Sequence, residues 1–125
     1  MVNVMFKVCI AGSRGFSSYE FLKAKMDSFL RDKHPDVSVI CGEAAGADRL
    51  GKRYAQERGY AVESFPADWD TYGKRAGYLR NIEMAEAASA CVVFWDGVSR
   101  GTAHMIDICR QKNVPLRVVR YDSPS

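Results

Sequence analysis

A short polar loop that follows the apolar run Cys91–Trp95 carries the residue types of an anion-binding site. Glycines at Gly97 and Gly101 let backbone N–H groups come close to a bound oxyanion. The hydroxyl groups of Ser99 and Thr102 can add donors, and a helix that begins near Gly101 would direct the positive end of its dipole at the same point. We therefore expect a phosphate here. The alternative is an ordinary strand-to-helix turn, in which Gly101 makes the bend and Thr102 caps the helix.

A second glycine-containing turn, Gly12–Gly15, follows the apolar run Phe6–Ala11. Its Arg14 can hold a phosphate through two parallel hydrogen bonds, and a cation in so tight a turn has little packing role. The two turns together predict one phosphate site, formed by Gly12, Ser13, Arg14, Gly101 and Thr102.

A third turn of small residues begins after the apolar run Val37–Cys41. Gly42 and Gly46 would let the backbone approach the ligand closely. Glu43 and Asp48 supply carboxylates, which can bind ribose hydroxyl groups or act as acid and base. For Asp48 the alternative is simply a favourable position at the positive end of the following helix.

The segment 66–77 is irregular, aromatic and charged, which favours a functional role over that of a spacer. Asp68 and Trp69 are expected to face the same crevice, where the indole could stack on a base or only cover the edge of the sheet. Arg80 and Asn81 lie about one turn inside the next predicted helix and could reach the same place.

Strands and helices alternate along the chain, and the strand-like runs lack the polar alternation of a half-exposed sheet. The strands are predicted at 6–11, 37–41, 61–65, 91–95 and 115–120. The helices are predicted at 18–33, from the third turn to a C-terminal Gly59, at 75–87, and from about Gly101 to about Asn113. A capping box formed by Ser17 and Glu20 is expected to start the first helix.

This alternation predicts the α/β class, with a single Rossmann-like, three-layer domain spanning residues 1–125. We expect a five-stranded parallel sheet in the order 3-2-1-4-5. In such a sheet every strand-to-helix loop emerges at the carboxyl edge, where ligands bind at the point of strand-order reversal. The turns described above should therefore meet in one crevice beside the first and fourth strands.

Composition excludes several classes of protein. The chain has 125 residues, of which 47% are hydrophobic and 26% charged, as in an ordinary globular protein. No apolar run approaches the roughly 20 residues of a membrane span, and no secretory signal begins the chain, so we expect a cytoplasmic location and no membrane contact. A net charge of +3 supports a nucleic-acid groove poorly.

The cysteines and histidines give no sign of a metal site. Four cysteines are present without C-x-x-C spacing, and His34 and His104 are isolated. Because the cysteines stand in apolar runs, we expect buried thiols, with no metal and no bound cofactor.

The combination of motifs extends over nearly the whole chain. They are Gly12–Arg14, Gly42–Leu50, Phe65–Trp69, Tyr72–Gly73, Ala76–Gly77, Arg80–Asn81 with Met84, and Phe94–Gly97 with Ser99 and Gly101–Thr102. Together they resemble the YspA-type branch of the SLOG superfamily, which joins the DNA-processing Smf proteins to the "Lonely guy" cytokinin-activating phosphoribohydrolases. The resemblance implies a Rossmann-like sheet, a pocket for nucleotides or nucleotide-derived ligands, and a homodimer.

One departure from the phosphoribohydrolase pattern bears on function. Those enzymes carry Pro-Gly-Gly-x-Gly-Thr-x-x-Glu, whereas this chain keeps Gly101–Thr102, replaces Pro-Gly-Gly by Gly97–Ser99 and has Met105 in place of the catalytic glutamate. Arg80 matches the arginine that works with that glutamate. Methionine cannot transfer a proton, so binding of a nucleotide or phosphoribosyl ligand, as a sensor or processing module, is favoured over hydrolysis.

The first alternative is a phosphoribohydrolase-like N-glycosidase that acts on nucleoside monophosphates. It needs another carboxylate near the ribose C1, and Glu43 and Asp96 are the expected choices, acting with Arg80, because each follows its strand directly and would lie on the floor of the crevice. Single-stranded DNA binding, suggested by the Smf relatives, ranks third. The full predicted ligand set is Gly12, Ser13, Arg14, Gly42, Gly46, Asp48, Asp68, Trp69, Arg80, Asn81, Ser99, Gly101 and Thr102.

Overall fold

The protein folds around a parallel sheet of five strands. The computed structural model describes residues 5–121. The strands are β1 (Phe6–Gly12), β2 (Val37–Cys41), β3 (Ala61–Ser64), β4 (Ala90–Trp95) and β5 (Leu116–Arg120). Their order is β3-β2-β1-β4-β5, and every neighbouring pair is parallel. The predicted α/β class and strand order are confirmed.

Helices cover both faces of the sheet. They are α1 (Tyr19–Phe29), α2 (Ala47–Arg58), α3 (Trp69–Tyr72), α4 (Ala76–Ala87) and α5 (Arg100–Gln111), with a 3-10 turn at Gly73–Arg75 between α3 and α4. The side chains of α1 and α2 pack in one core with Val8 and Ile10 of β1. Those of α4 and α5 pack in a second core with Cys9 and Ala11, because successive strand residues face opposite sides of the sheet.

The inner strands are buried on both faces, which is why they appear in the sequence as nearly continuous apolar runs. All five residues of β2 are buried, and β1 and β4 are buried at their centres. The edge strands β3 and β5 contain exposed and half-buried positions instead. The crevice therefore opens at the carboxyl end of strands whose centres are buried.

Two details of α1 differ from the prediction. The helix ends at Phe29 rather than Lys33, and a turn closed by the Lys33 N–H and the Leu30 carbonyl (2.9 Å) follows it. The Ser17–Glu20 capping box is wrong: α1 begins at Tyr19, so Glu20 is its second residue and the spacing is off by one. Gly59 does end α2 in the left-handed conformation, with φ 74°.

The segment 66–77 is more ordered than expected. Asp68 accepts a hydrogen bond from the Thr71 N–H (3.1 Å) and so caps the single turn of α3. The 3-10 turn then leads directly into α4, which places Arg80 and Asn81 near the carboxyl end of the sheet.

The prediction of buried thiols is confirmed. Cys9, Cys41, Cys91 and Cys109 are buried free thiols. Within residues 5–121, none of the helices is both long enough and apolar enough to cross a membrane.

Candidate functional site

A cavity of about 420 Å³ lies at the carboxyl end of β1 and β4, within the size range of small-molecule sites. It is lined by the loop after β1, the start of α2, the α3–α4 region, and the loop between β4 and α5. Predicted site residues that line it are Gly12, Ser13, Arg14, Asp48, Trp69, Arg80, Asn81, Asp96, Ser99, Gly101 and Thr102. We call this the main cavity.

A smaller cavity of about 210 Å³ adjoins it. Gly42 and Glu43 line this side cavity, together with Pro66 and Ala67. The two cavities share lining residues at their boundary, namely Arg14, Ala44, Trp69 and Arg80.

Two predicted residues line neither cavity. Asp68 caps α3 as described above. Gly46 has φ 77°, and a Cβ there would overlap the carbonyl oxygens of Ser13 and Arg14. Gly46 therefore brings the loop after β1 against the start of α2, rather than approaching a ligand itself.

The loop after β1 is also attached to the end of β4. A Cβ on Gly12 would overlap the carbonyl oxygen of Phe94, and that oxygen accepts the Ser13 N–H at 2.9 Å. The Ser13 hydroxyl accepts the Asp96 N–H at 3.2 Å. These contacts hold the two loops of the predicted phosphate site side by side.

The start of α5 forms the far wall of the main cavity. The hydroxyl groups of Ser99 and Thr102 lie 3.0 Å apart, and Thr102 is buried. Asn81 of α4 donates to the Gly101 carbonyl at 3.2 Å, which ties α4 to α5. Met105, one turn further along α5, is buried and lines the same cavity.

Two arginines line this cavity without forming an ion pair among the described residues. Arg80 is held in place because it donates to the Gly42 carbonyl and to the Asn81 side chain. Arg14 lies in an exposed position of the glycine turn.

The sequence of this chain is similar to those of known proteins. A family model described as the YspA, cpYpsA-related SLOG family matches residues 6–72, more than half of the chain. The chain belongs to this SLOG family. It is 35% identical over 118 residues to the Gene 61 protein of Mycobacterium phage D29. The aligned region covers 90% of this chain and 94% of the phage protein. No solved structure matches it.

Membership of the SLOG family supports binding or processing of a nucleotide-related ligand as a property of the family. The matched range contains the glycine turns after β1 and β2 and the whole of α3. The loop before α5 lies outside that range, so its role rests on the geometry described above.

The two carboxylates predicted for catalysis, Glu43 and Asp96, each accept hydrogen bonds from other groups of the protein. Glu43 is not on the floor of the main cavity: it is partly exposed, and its Oε1 accepts hydrogen bonds from Ser64 (2.6 Å) and Lys52 (3.3 Å). These contacts lower the pKa of Glu43. Asp96 lines the cavity, but its Oδ1 accepts the N–H groups of Val98 (2.9 Å) and Ser99 (2.8 Å), which lower its pKa.

Asp48 is the exception among the acidic residues. Its side chain is 5% exposed, and burial raises its pKa to about 6 although Arg80, the Ala44 N–H and Arg14 all favour the charged form. Its Oδ2 accepts the Ala44 N–H at 3.1 Å. A carboxyl group of this kind changes its charge close to neutral pH.

Sequence reasoning missed several lining residues. Lys74 adds a third cation to the main cavity, and Tyr78 adds an aromatic side chain that is 44% exposed. The charge and aromatic content of 66–77 indicated a functional segment, but only the 3-10 turn and α4 bring these two side chains to the cavity. Within residues 5–121, His, Cys, Asp and Glu form no group of three that could hold a metal ion.

The raised pKa of Asp48 predicts how stability depends on pH. The pKa of Asp48 is about 6 in the folded state and has its ordinary value of 3.8 in the unfolded chain, so the folded state binds more protons between these two pH values. The free energy of unfolding should therefore fall as pH rises through this window, by about 3 kcal/mol at about 1.4 kcal/mol per pKa unit.

Asp48→Asn should remove this cost, since the amide oxygen can still accept the Ala44 N–H. We expect the variant to be more stable at pH 7 by about 1–3 kcal/mol, with a smaller difference at pH 4, as measured by urea unfolding. Asp32→Asn, at an exposed position outside the cavity, serves as the control. A variant that is less stable than the parent protein at pH 7 would contradict the assignment.

Proposed function

We propose that the main cavity binds a nucleotide or nucleotide-derived ligand, with its phosphate between the Gly12–Gly15 turn and the start of α5. The observation that carries the proposal is the placement of Arg14 and Arg80 at one cavity, neither in an ion pair among the described residues. Unpaired guanidinium groups favour an anion that can accept two hydrogen bonds at once.

The backbone adds further support. The 12-residue helix α5 begins at the cavity, and free N–H groups at a helix start carry partial positive charge. The hydroxyls of Ser99 and Thr102 lie at the same point. A phosphate there would meet a cation, a helix start and hydroxyl donors together.

Aromatic side chains provide a place for the base. Trp69 lines both cavities and is 50% exposed. Tyr78 also lines the main cavity, and its ring packs edge-on against His104. An aromatic ring that is half exposed at the mouth of a cavity can stack on a planar base. The side cavity leaves room for a further part of the ligand.

The residues of the cavity support binding of a nucleotide better than its hydrolysis. Met105 lines the cavity where the phosphoribohydrolase pattern has its glutamate, and a thioether cannot transfer a proton. Glu43 and Asp96 both have engaged oxygens. Of these two carboxylates only Asp96 lines the main cavity, and its Oδ1 is already held by two backbone N–H groups, so the N-glycosidase alternative has the weaker support.

Arg14→Ala should weaken the binding of nucleoside 5′-monophosphates about 10- to 100-fold, because it removes a charge-assisted contact worth about 1.5–3 kcal/mol. Isothermal titration calorimetry with AMP, GMP, CMP and UMP measures this. Arg31→Ala, at an exposed position just after α1, is the matched control and should bind like the parent protein. Equal affinities of the two variants would remove Arg14 from the site.

Trp69→Ala should weaken binding of the same nucleotides by about tenfold, since stacking of a base on an aromatic ring contributes about 1–3 kcal/mol. It should leave the affinity for inorganic phosphate unchanged. Tyr72→Ala removes another exposed aromatic of α3, one that lines neither cavity, and so controls for a general loss of apolar surface. Loss of phosphate binding in Trp69→Ala would argue for a structural role instead.

Incubation with the four nucleotides, followed by chromatography, separates binding from hydrolysis. We expect bound nucleotide and no released base. Release of base that is abolished by Glu43→Gln or Asp96→Asn would replace the binding function by the N-glycosidase alternative.

We also propose a cytoplasmic homodimer, as the family resemblance and the composition imply. Light scattering at micromolar concentration determines the mass in solution directly.

A further inference from the structure

The Asp48 carboxyl group is buried, but only one of its two oxygens has a hydrogen-bond partner among the described residues. Its only hydrogen bond within residues 5–121 comes from the Ala44 N–H to Oδ2, at 3.1 Å. The other oxygen has no hydrogen-bond partner among these residues, and the side chain is 5% exposed and lines the main cavity. A carboxyl group placed in this way has bonding capacity left for a ligand.

The space around this group is tight. A Cβ on Gly42 would lie 2.9 Å from Asp48 Oδ2 and 2.5 Å from the Arg80 guanidinium, so the two side chains border the same glycine. No ion pair within 4.0 Å joins Asp48 to either arginine. The ionisable groups around it are Arg14 from the loop after β1, Cys41 at the end of β2, Glu43 from the next loop, Lys74 from the 3-10 turn, Arg80 from α4, and Asp96 after β4.

In the free protein, burial raises the pKa of Asp48 by more than the nearby cations lower it. The pKa of Asp48 lies at about 6, so the group is mostly ionised at neutral pH but close to its midpoint. A phosphate that binds Arg14 and Arg80 would engage the charges that now favour the carboxylate, and would add a like charge nearby. Both changes raise the pKa further.

We propose that Asp48 contacts the ligand's phosphate as a neutral carboxylic acid, and that binding takes up one proton from solvent. The carboxylate gains this proton, and its O–H then donates to a phosphate oxygen; no other bond forms or breaks. The inference rests on the proposed function and adds to it a contact and a pH dependence. Charge-assisted O–H···O⁻ hydrogen bonds of this type are short and strong.

The competing role for Asp48 is that of an ionised acceptor for a ribose hydroxyl. The two roles make opposite predictions for Asp48→Asn. An amide can donate to phosphate without needing a proton, so the variant should bind well at high pH if Asp48 acts as an acid. If Asp48 acts as a charged acceptor, the variant should bind less well at every pH above 6.

Calorimetric titration with AMP at pH 5, 6, 7 and 8, on the parent protein and on Asp48→Asn, tests the inference. The ratio of the two affinities cancels the ionisation of AMP itself. We expect the parent protein to lose at least tenfold in affinity relative to the variant between pH 6 and pH 8. In buffers of different ionisation enthalpy at pH 7, it should take up most of one proton more than the variant.

A ratio that stays constant with pH, or one that shifts in favour of the parent protein as pH rises, overturns the proton coupling. Carbon NMR of the Asp48 carboxyl in the parent protein gives a second measurement, which does not depend on any variant. Its midpoint should move up by about two pH units or more when AMP is added; an unchanged or lower midpoint also overturns the inference. Absence of AMP binding at all four pH values would instead refute the proposed function.

Discussion

The close approach of backbones at Gly12 and Gly46 is the constraint on which the site depends. Gly46 leaves room for the carbonyl groups of Ser13 and Arg14, and Gly12 leaves room for that of Phe94. Three loops from β1, β2 and β4 can therefore pack together at the carboxyl end of the sheet. Since this packing turns Arg14, Asp48 and the start of α5 towards one cavity, the architecture of the site is decided by backbone contacts before any ligand is bound.

The proposed anion site follows from the charges that line the cavity. Arg14, Arg80 and Lys74 line it without carboxylate partners among the described residues, while Asp48 is buried at a cost in stability. An apolar side chain packed at position 48 would make the folded protein more stable than a buried carboxyl group with one hydrogen bond does. Binding sites commonly retain such groups because their unpaired capacity is used when the ligand arrives.

The sheet could be predicted because its inner strands are almost wholly apolar and each leads into a loop of small residues. Arg14 and Thr102 were predicted to share a crevice, and they line one cavity. The orientation of Glu43 could not be predicted, because Ser64 of β3 and Lys52 of α2 determine it through the tertiary fold. The cap that Asp68 makes on α3 could not be predicted either, because the segment 66–77 was expected to be irregular.

The most direct measurement of the central claim is a two-dimensional amide NMR titration of the protein with AMP and, separately, with adenosine. The account predicts that AMP shifts the amide signals of the Gly12–Gly15 turn and of Gly101 and Thr102, and that adenosine leaves this group largely unchanged because it has no phosphate. Shifts confined to residues outside the main cavity, or the same shifts with adenosine as with AMP, would contradict it.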